Sequence, residues 1–182
     1  MDKEIAKIKI QELVEKYETE KAGDKIKNYT EQDTKNGFIE PLFKALGWNV
    51  SDRNEVSLED HIKGSGRSDY NFRINGITQF YLEAKKFKAD LEDETFAKQV
   101  INYSWNKGVT YAILTDFEGI KVFNAQRIDK TDLMDKMVFE LSYDKYISDF
   151  ETLWYLSKES FQKKTLDDYA EKIGKKEKSV QV

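Results

Sequence analysis

A chain of 182 residues with 39% hydrophobic and 13% aromatic residues has the apolar material for one packed domain, or one domain with an extension, and is not globally disordered. Charged residues reach 35% with a net charge of −4; no run of about 18 apolar residues is left to span a membrane, and the charged start MDKEIAKIKI lacks the apolar core of a secretory signal. The absence of cysteine excludes disulfides and thiolate metal sites, a single histidine excludes zinc held by several imidazoles, and the expected compartment is the cytoplasm.

In chain order, Ile10, Leu13, Val14 and Tyr17 repeat at helical spacing, so 3–18 is predicted to be an amphipathic helix. TEQD at 30–33 fits a capping box with Thr30 as N-cap and Asp33 in the place of the usual Glu or Gln. It opens a helix that carries Phe38, Ile39, Leu42, Phe43 and Leu46 on one face and stops at Gly47. Pro41 inside it predicts a kink. WNV at 48–50 is expected to begin a short strand, with 51–66 a polar loop. His61 in that loop reads as a surface residue, and the Gly-rich GSGR at 64–67 precedes a strand, not a helix, so no helix N-terminus cradles a phosphate there.

Residues 67–73 and 77–85 alternate polar with apolar around Asn75-Gly76, the pattern of a β-hairpin. A two-residue turn would pair Ile74 with Ile77 and mix charge with apolar side chains on both faces. A three-residue turn with Gly76 in the left-handed region would pair Arg73 with Ile77 and Asn71 with Gln79. That register gathers Tyr70, Phe72, Phe80, Leu82 and Ala84 on one face and Asp69, Glu83 and Lys85 on the other. A one-residue slip exchanges the faces, so the apolar set selects the three-residue turn. DETFAKQVINYSWNKG then reads as a helix with Phe96, Val100, Ile101 and Ser104 inward and Gly108 at its end; VTYAILT, IKVFN and MVFEL read as strands, and Ile147, Phe150 and Trp154 stripe a helix from about 145 to 158. From 159 to 182 the apolar content thins. The succession of helices and strands predicts an α/β fold, a mixed central sheet flanked by helices.

Two carboxylates and an ammonium on one sheet face suit a divalent cation, because like charges held close need one between them. Mg²⁺ takes hard oxygen ligands and usually only one or two carboxylates, with waters and phosphate completing its shell. Lys85 lies two residues beyond Glu83, on the same face. A Lewis acid, an activated water and a cation for developing charge make a set suited to phosphodiester hydrolysis.

Asp69 followed after thirteen residues by Glu83-Ala84-Lys85 resembles the signature of the PD-(D/E)XK nucleases. SDY before the hairpin, QVINY on the following helix, YAILTDFEGIKVFN after it and TEQDTKNGFIEPLFKALGW before it are similar in order and spacing to the N-terminal nuclease domains of type I restriction R subunits and of fused type IIG restriction-modification proteins. The resemblance covers about residues 30–156. It implies a restriction-endonuclease-like core that cuts double-stranded DNA with Mg²⁺ (Mn²⁺ as substitute), with Asp69, Glu83 and the Ala84 backbone carbonyl as metal ligands. Lys85 would position or activate the attacking water, Glu31 would reach the metal through water, and Gln99 and Tyr103 would steady Lys85 or the DNA backbone. Ser68 stands where the family has proline. The implied division is an N-terminal helix and linker (1–29), a nuclease domain (30–158) and a linker helix (159–182) toward a downstream region. Expected partners are fused or associated methyltransferase and specificity modules, with a dimer during cleavage.

Other readings stay open on the residues alone. Glu83 and Lys85 also fit an exposed ion pair at a strand edge, EAKKFKADLEDE has helix-forming composition, Glu31 suits the first turn of any helix, and Gln99 and Tyr103 suit a solvated helix face. At the level of the whole protein the alternatives are a stand-alone structure-selective nuclease, or a catalytically silent docking module of the same fold. Net charge and a pI near 5.3 are unfavourable for a free-standing DNA binder, yet residues 61–88 hold six Lys or Arg against two acids.

Overall fold

The structure, a computed structural model, describes residues 2–58, 68–127 and 132–180; His61 and Gly64 to Arg67 lie outside the described residues. Six strands form one sheet in chain order: β1 (Val56–Leu58), β2 (Tyr70–Ile74), β3 (Ile77–Ala84), β4 (Tyr111–Thr115), β5 (Gly119–Asn124) and β6 (Met137–Ser142). All neighbours are antiparallel except β3 and β4. That parallel step needs a crossover, supplied by α4 (Glu94–Asn106), which Asp93 caps and after which Gly108 turns the chain at φ +68°.

Helices cover both faces. One face, with Tyr70, Phe72, Phe80, Leu82, Tyr111, Ile113, Ile120 and Val122, packs against α1 (Lys3–Ala22), α3 (Glu40–Ala45), α5 (Phe150–Trp154), α6 (Lys158–Lys163) and the start of α7 (Thr165–Val180). The other face, with Tyr81, Ala112, Leu114 and Phe123, packs against Ala97, Val100, Ile101 and Tyr103 of α4. The fold is the mixed α/β arrangement expected, and is consistent with a restriction-endonuclease-like core.

The capping box at Thr30 and Asp33 forms as read, and opens α2 (Glu31–Thr34). The backbone irregularity expected at Pro41 takes another form. Between α2 and α3 the helix widens into a π-helical segment, Lys35–Ile39, whose end bonds Glu40 N–H to the Lys35 carbonyl. A wide turn just before Pro41 accommodates a residue that has no N–H to give.

Three expectations fail. Trp48 begins no strand: its N–H returns to the Phe43 carbonyl at 3.1 Å and its indole Nε1 donates to the Leu156 carbonyl at 2.9 Å, which commits it to the core. The first strand lies instead at Val56–Leu58, inside the stretch read as loop. The helix expected over about 145–158 is broken, because Ser157 accepts the Ser160 N–H and so caps a new helix after α5 has ended at Trp154. The third is the hairpin register. Asn75 (φ +52°) and Gly76 (φ +79°) form a two-residue turn, and Ile74 does face Ile77. Positive φ at both central residues is the type I′ geometry, which suits the twist of the strands and which Asn-Gly favours.

The shared face nevertheless forms, by another route. Between Phe72 and Arg73 the register shifts, so that Arg73 opposes Thr78 while Phe72 opposes Phe80, which leaves Gln79 as an extra residue. This β-bulge restores the grouping that the apolar residues require. Beyond it Tyr70 faces Leu82, and Phe72 stacks on Phe80 at 4.4 Å between ring centroids.

Candidate active site

Asp69 immediately precedes β2, and its N–H donates to the Leu82 carbonyl at 3.1 Å, which sets it beside Glu83 near the end of β3. Both carboxylates are buried, Asp69 at 6% exposure and Glu83 at 4%. Asp69 Oδ2 accepts the Ala84 N–H at 2.8 Å. Asp69 Oδ1 accepts Lys35 Nζ at 2.7 Å, and the same ammonium reaches Glu31 Oε1 at 3.0 Å. Glu83 Oε1 accepts Lys85 Nζ at 2.7 Å and Gln99 Nε2 at 3.1 Å. Lys85 Nζ also lies 4.5 Å from the centre of the Phe96 ring on α4, a cation–π contact. Glu83 Oε2 is buried with no hydrogen-bond partner among the described residues.

Electrostatics follow from this burial. Glu83 is pushed up to about 7, by desolvation first and by the charge of Asp69 second, against the downward pull of Lys85. For Lys35, burial favours the neutral amine, but the hydrogen bonds and charges of Asp69 and Glu31 outweigh it and raise its pKa. Tyr70 donates to Glu40 Oε1 at 2.9 Å, and its phenol is raised by burial and by nearby carboxylates.

The structure thus brings Asp69, Glu83, Lys85 and Gln99 into one constellation, and Glu31 meets it through Lys35. Tyr103, one turn beyond Gln99, is fully buried with its ring edge-on to Tyr81 at 4.6 Å, in the core beneath α4. Lys35 was not singled out from the sequence. The available signal was its position four residues after Glu31 on a helix, where ion pairs form. Its reach to Asp69, 34 residues on, is a tertiary fact.

Among the described residues no three His, Cys, Asp or Glu side chains converge on one point. The donor set among the described residues is two buried carboxylates, one with an oxygen that lacks a partner there. An unpartnered buried carboxylate oxygen costs desolvation energy. A hard divalent ion such as Mg²⁺ fits that set, since it needs only one or two carboxylates and fills the remainder with waters, phosphate or a backbone carbonyl.

Two buried carboxylates and a lysine thus share one face of a mixed α/β sheet. In an alignment 140 residues long that covers 69% of the chain, it is 26% identical to the Escherichia coli protein described as type II restriction enzyme and methyltransferase RM.Eco57I. It is thus related, at modest identity, to a restriction-modification enzyme, and it matches 14% of that protein's length. No family profile matches the chain, and no solved structure does.

Proposed function

We propose that this chain is an Mg²⁺-dependent DNA endonuclease domain of the PD-(D/E)XK kind, the cleavage module of a restriction-modification system. The observation that carries this is the convergence of Asp69, Glu83 and Lys85 with Glu83 Oε2 buried and, among the described residues, unpartnered. The relation to a restriction enzyme and methyltransferase supports DNA as substrate, with methyltransferase and specificity modules as partners.

Asp69 and Glu83 would hold the ion, joined by the Ala84 carbonyl and, through water, by Glu31. Bound there, Mg²⁺ supplies Lewis acidity toward a phosphate oxygen and lowers the pKa of its waters. Lys85, held between Glu83 and the Phe96 ring, orients the attacking water and offers positive charge to the pentacovalent phosphorus. Gln99 fixes the Glu83 carboxylate by its hydrogen bond. Ala84 N–H orients Asp69.

The test is nicking of supercoiled plasmid with Mg²⁺ or Mn²⁺. The wild-type chain should nick slowly, and Asp69→Asn, Glu83→Gln and Lys85→Met should each lose at least about a hundredfold, the scale on which removal of a catalytic electrostatic group acts. Nicking at the wild-type rate by all three folded variants would sink the assignment.

A further inference from the structure

Lys35 lies at the start of the π-helical segment, nearly buried, and contacts both Asp69 and Glu31. Asp69 Oδ2 is committed to the Ala84 N–H, so Oδ1 is the oxygen through which Asp69 can best meet a metal, and Lys35 holds Oδ1. An ammonium and a metal on the same oxygen would stand roughly 4 Å apart from ordinary bond lengths. At that distance like charges repel strongly inside a protein.

We propose that Lys35 is a resident counter-cation of the metal site, which a divalent ion displaces from Asp69 in order to bind. The proposal rests on the functional reading above, and adds a step to it: cation exchange at Asp69 Oδ1. Without metal, Lys35 offsets the repulsion between two buried carboxylates. Glu31, 3.0 Å from the same ammonium and more exposed, gives Lys35 a partner to keep when it leaves Asp69. The exchange leaves Lys35 its Glu31 contact while it opens the oxygen that the metal needs. A π-helical turn at the root of this side chain is a local irregularity of the kind often found at functional sites.

The experiment is Mn²⁺ binding to the whole 182-residue chain, followed by loss of the free-ion EPR signal, with no DNA and no turnover. Wild type is compared with Lys35→Gln, Lys35→Met, Lys35→Arg and Asp69→Asn, each checked for folding by circular dichroism. Removal of the charge in Lys35→Gln should tighten Mn²⁺ about tenfold or more, the scale of one close like charge removed. Lys35→Met should do the same and stands in if the glutamine variant does not fold. Lys35→Arg keeps the charge and should bind no better than wild type. Binding by the neutral variants equal to or weaker than wild type, with Asp69→Asn weaker still, overturns the exchange and leaves the metal site standing. No Mn²⁺ binding at millimolar concentration by any variant overturns both.

Discussion

Glu83 is a carboxylate in surroundings hostile to its charge. Its folded pKa, about 7, lies above the ordinary value of 4.5. The folded protein therefore binds that proton more tightly than the unfolded chain, and stability must fall as pH rises from about 4.5 to about 7. The shift corresponds to at most roughly 3 kcal/mol. Asp116, also pushed up to about 7 by burial, acts with the same sign. In EDTA, melting of the wild type should thus drop between pH 5 and 7.5, and Glu83→Gln should remove about half of that slope; a slope left unchanged would mean that Glu83 is not held as described. Asp69 behaves differently. Its replacement by Ala leaves the Ala84 N–H without its acceptor and the nearly buried Lys35 with Glu31 alone, and should cost about 1–3 kcal/mol in a urea titration, whereas Glu83→Ala relieves repulsion and should cost little. From sequence alone neither substitution appears costly, because only the tertiary structure brings Lys35 to Asp69.

At the scale of elements, the turn and the bulge together decide which residues share a face. Gly76 at φ +79° has no atom of the described residues within 4 Å of where a Cβ would stand, so Gly76→Val tests backbone strain free of steric clash with them. It should destabilise by roughly 1–3 kcal/mol; a melting temperature unchanged from wild type would contradict the type I′ geometry. Helix α4 and strands β3 to β6 were legible because periodicity and turn residues act locally, and Thr30 with Asp33 announced α2 for the same reason. The grouping of Asp69 with Glu83 and Lys85 was legible too, since it follows from where Phe72, Phe80 and Leu82 must go. The register was not, because a bulge at Gln79 has no signature in alternating side chains and satisfies the same pattern as a longer turn. Strand β1 was hidden for a related reason: three residues that pair with β2 are too few to show a period. Trp48 looked like a strand residue on propensity, but its indole had a partner at Leu156 that only the fold supplies.

The whole molecule carries a net charge of −4, with Arg73, Lys85, Lys86 and Lys88 on or just beyond the hairpin that bears the site. Phosphate contacts position a protein on DNA and carry little sequence information, so the isolated chain should bind unrelated duplexes alike, weakly, and lose them steeply as salt rises. Fluorescence anisotropy on two duplexes at two salt concentrations checks this; a preference for one duplex that survives high salt would mean that the domain reads bases itself. The central claim is that Asp69 and Glu83 form a divalent-metal site. A crystal of the chain grown with Mn²⁺ tests it most directly, through the anomalous signal of the ion. The expected result is one strong peak within bonding distance of Asp69 Oδ1 and Glu83 Oε2, with Lys35 turned away from Asp69 toward Glu31. A peak elsewhere, or none beside two ordered carboxylates still held by Lys35 and Lys85, would contradict the account.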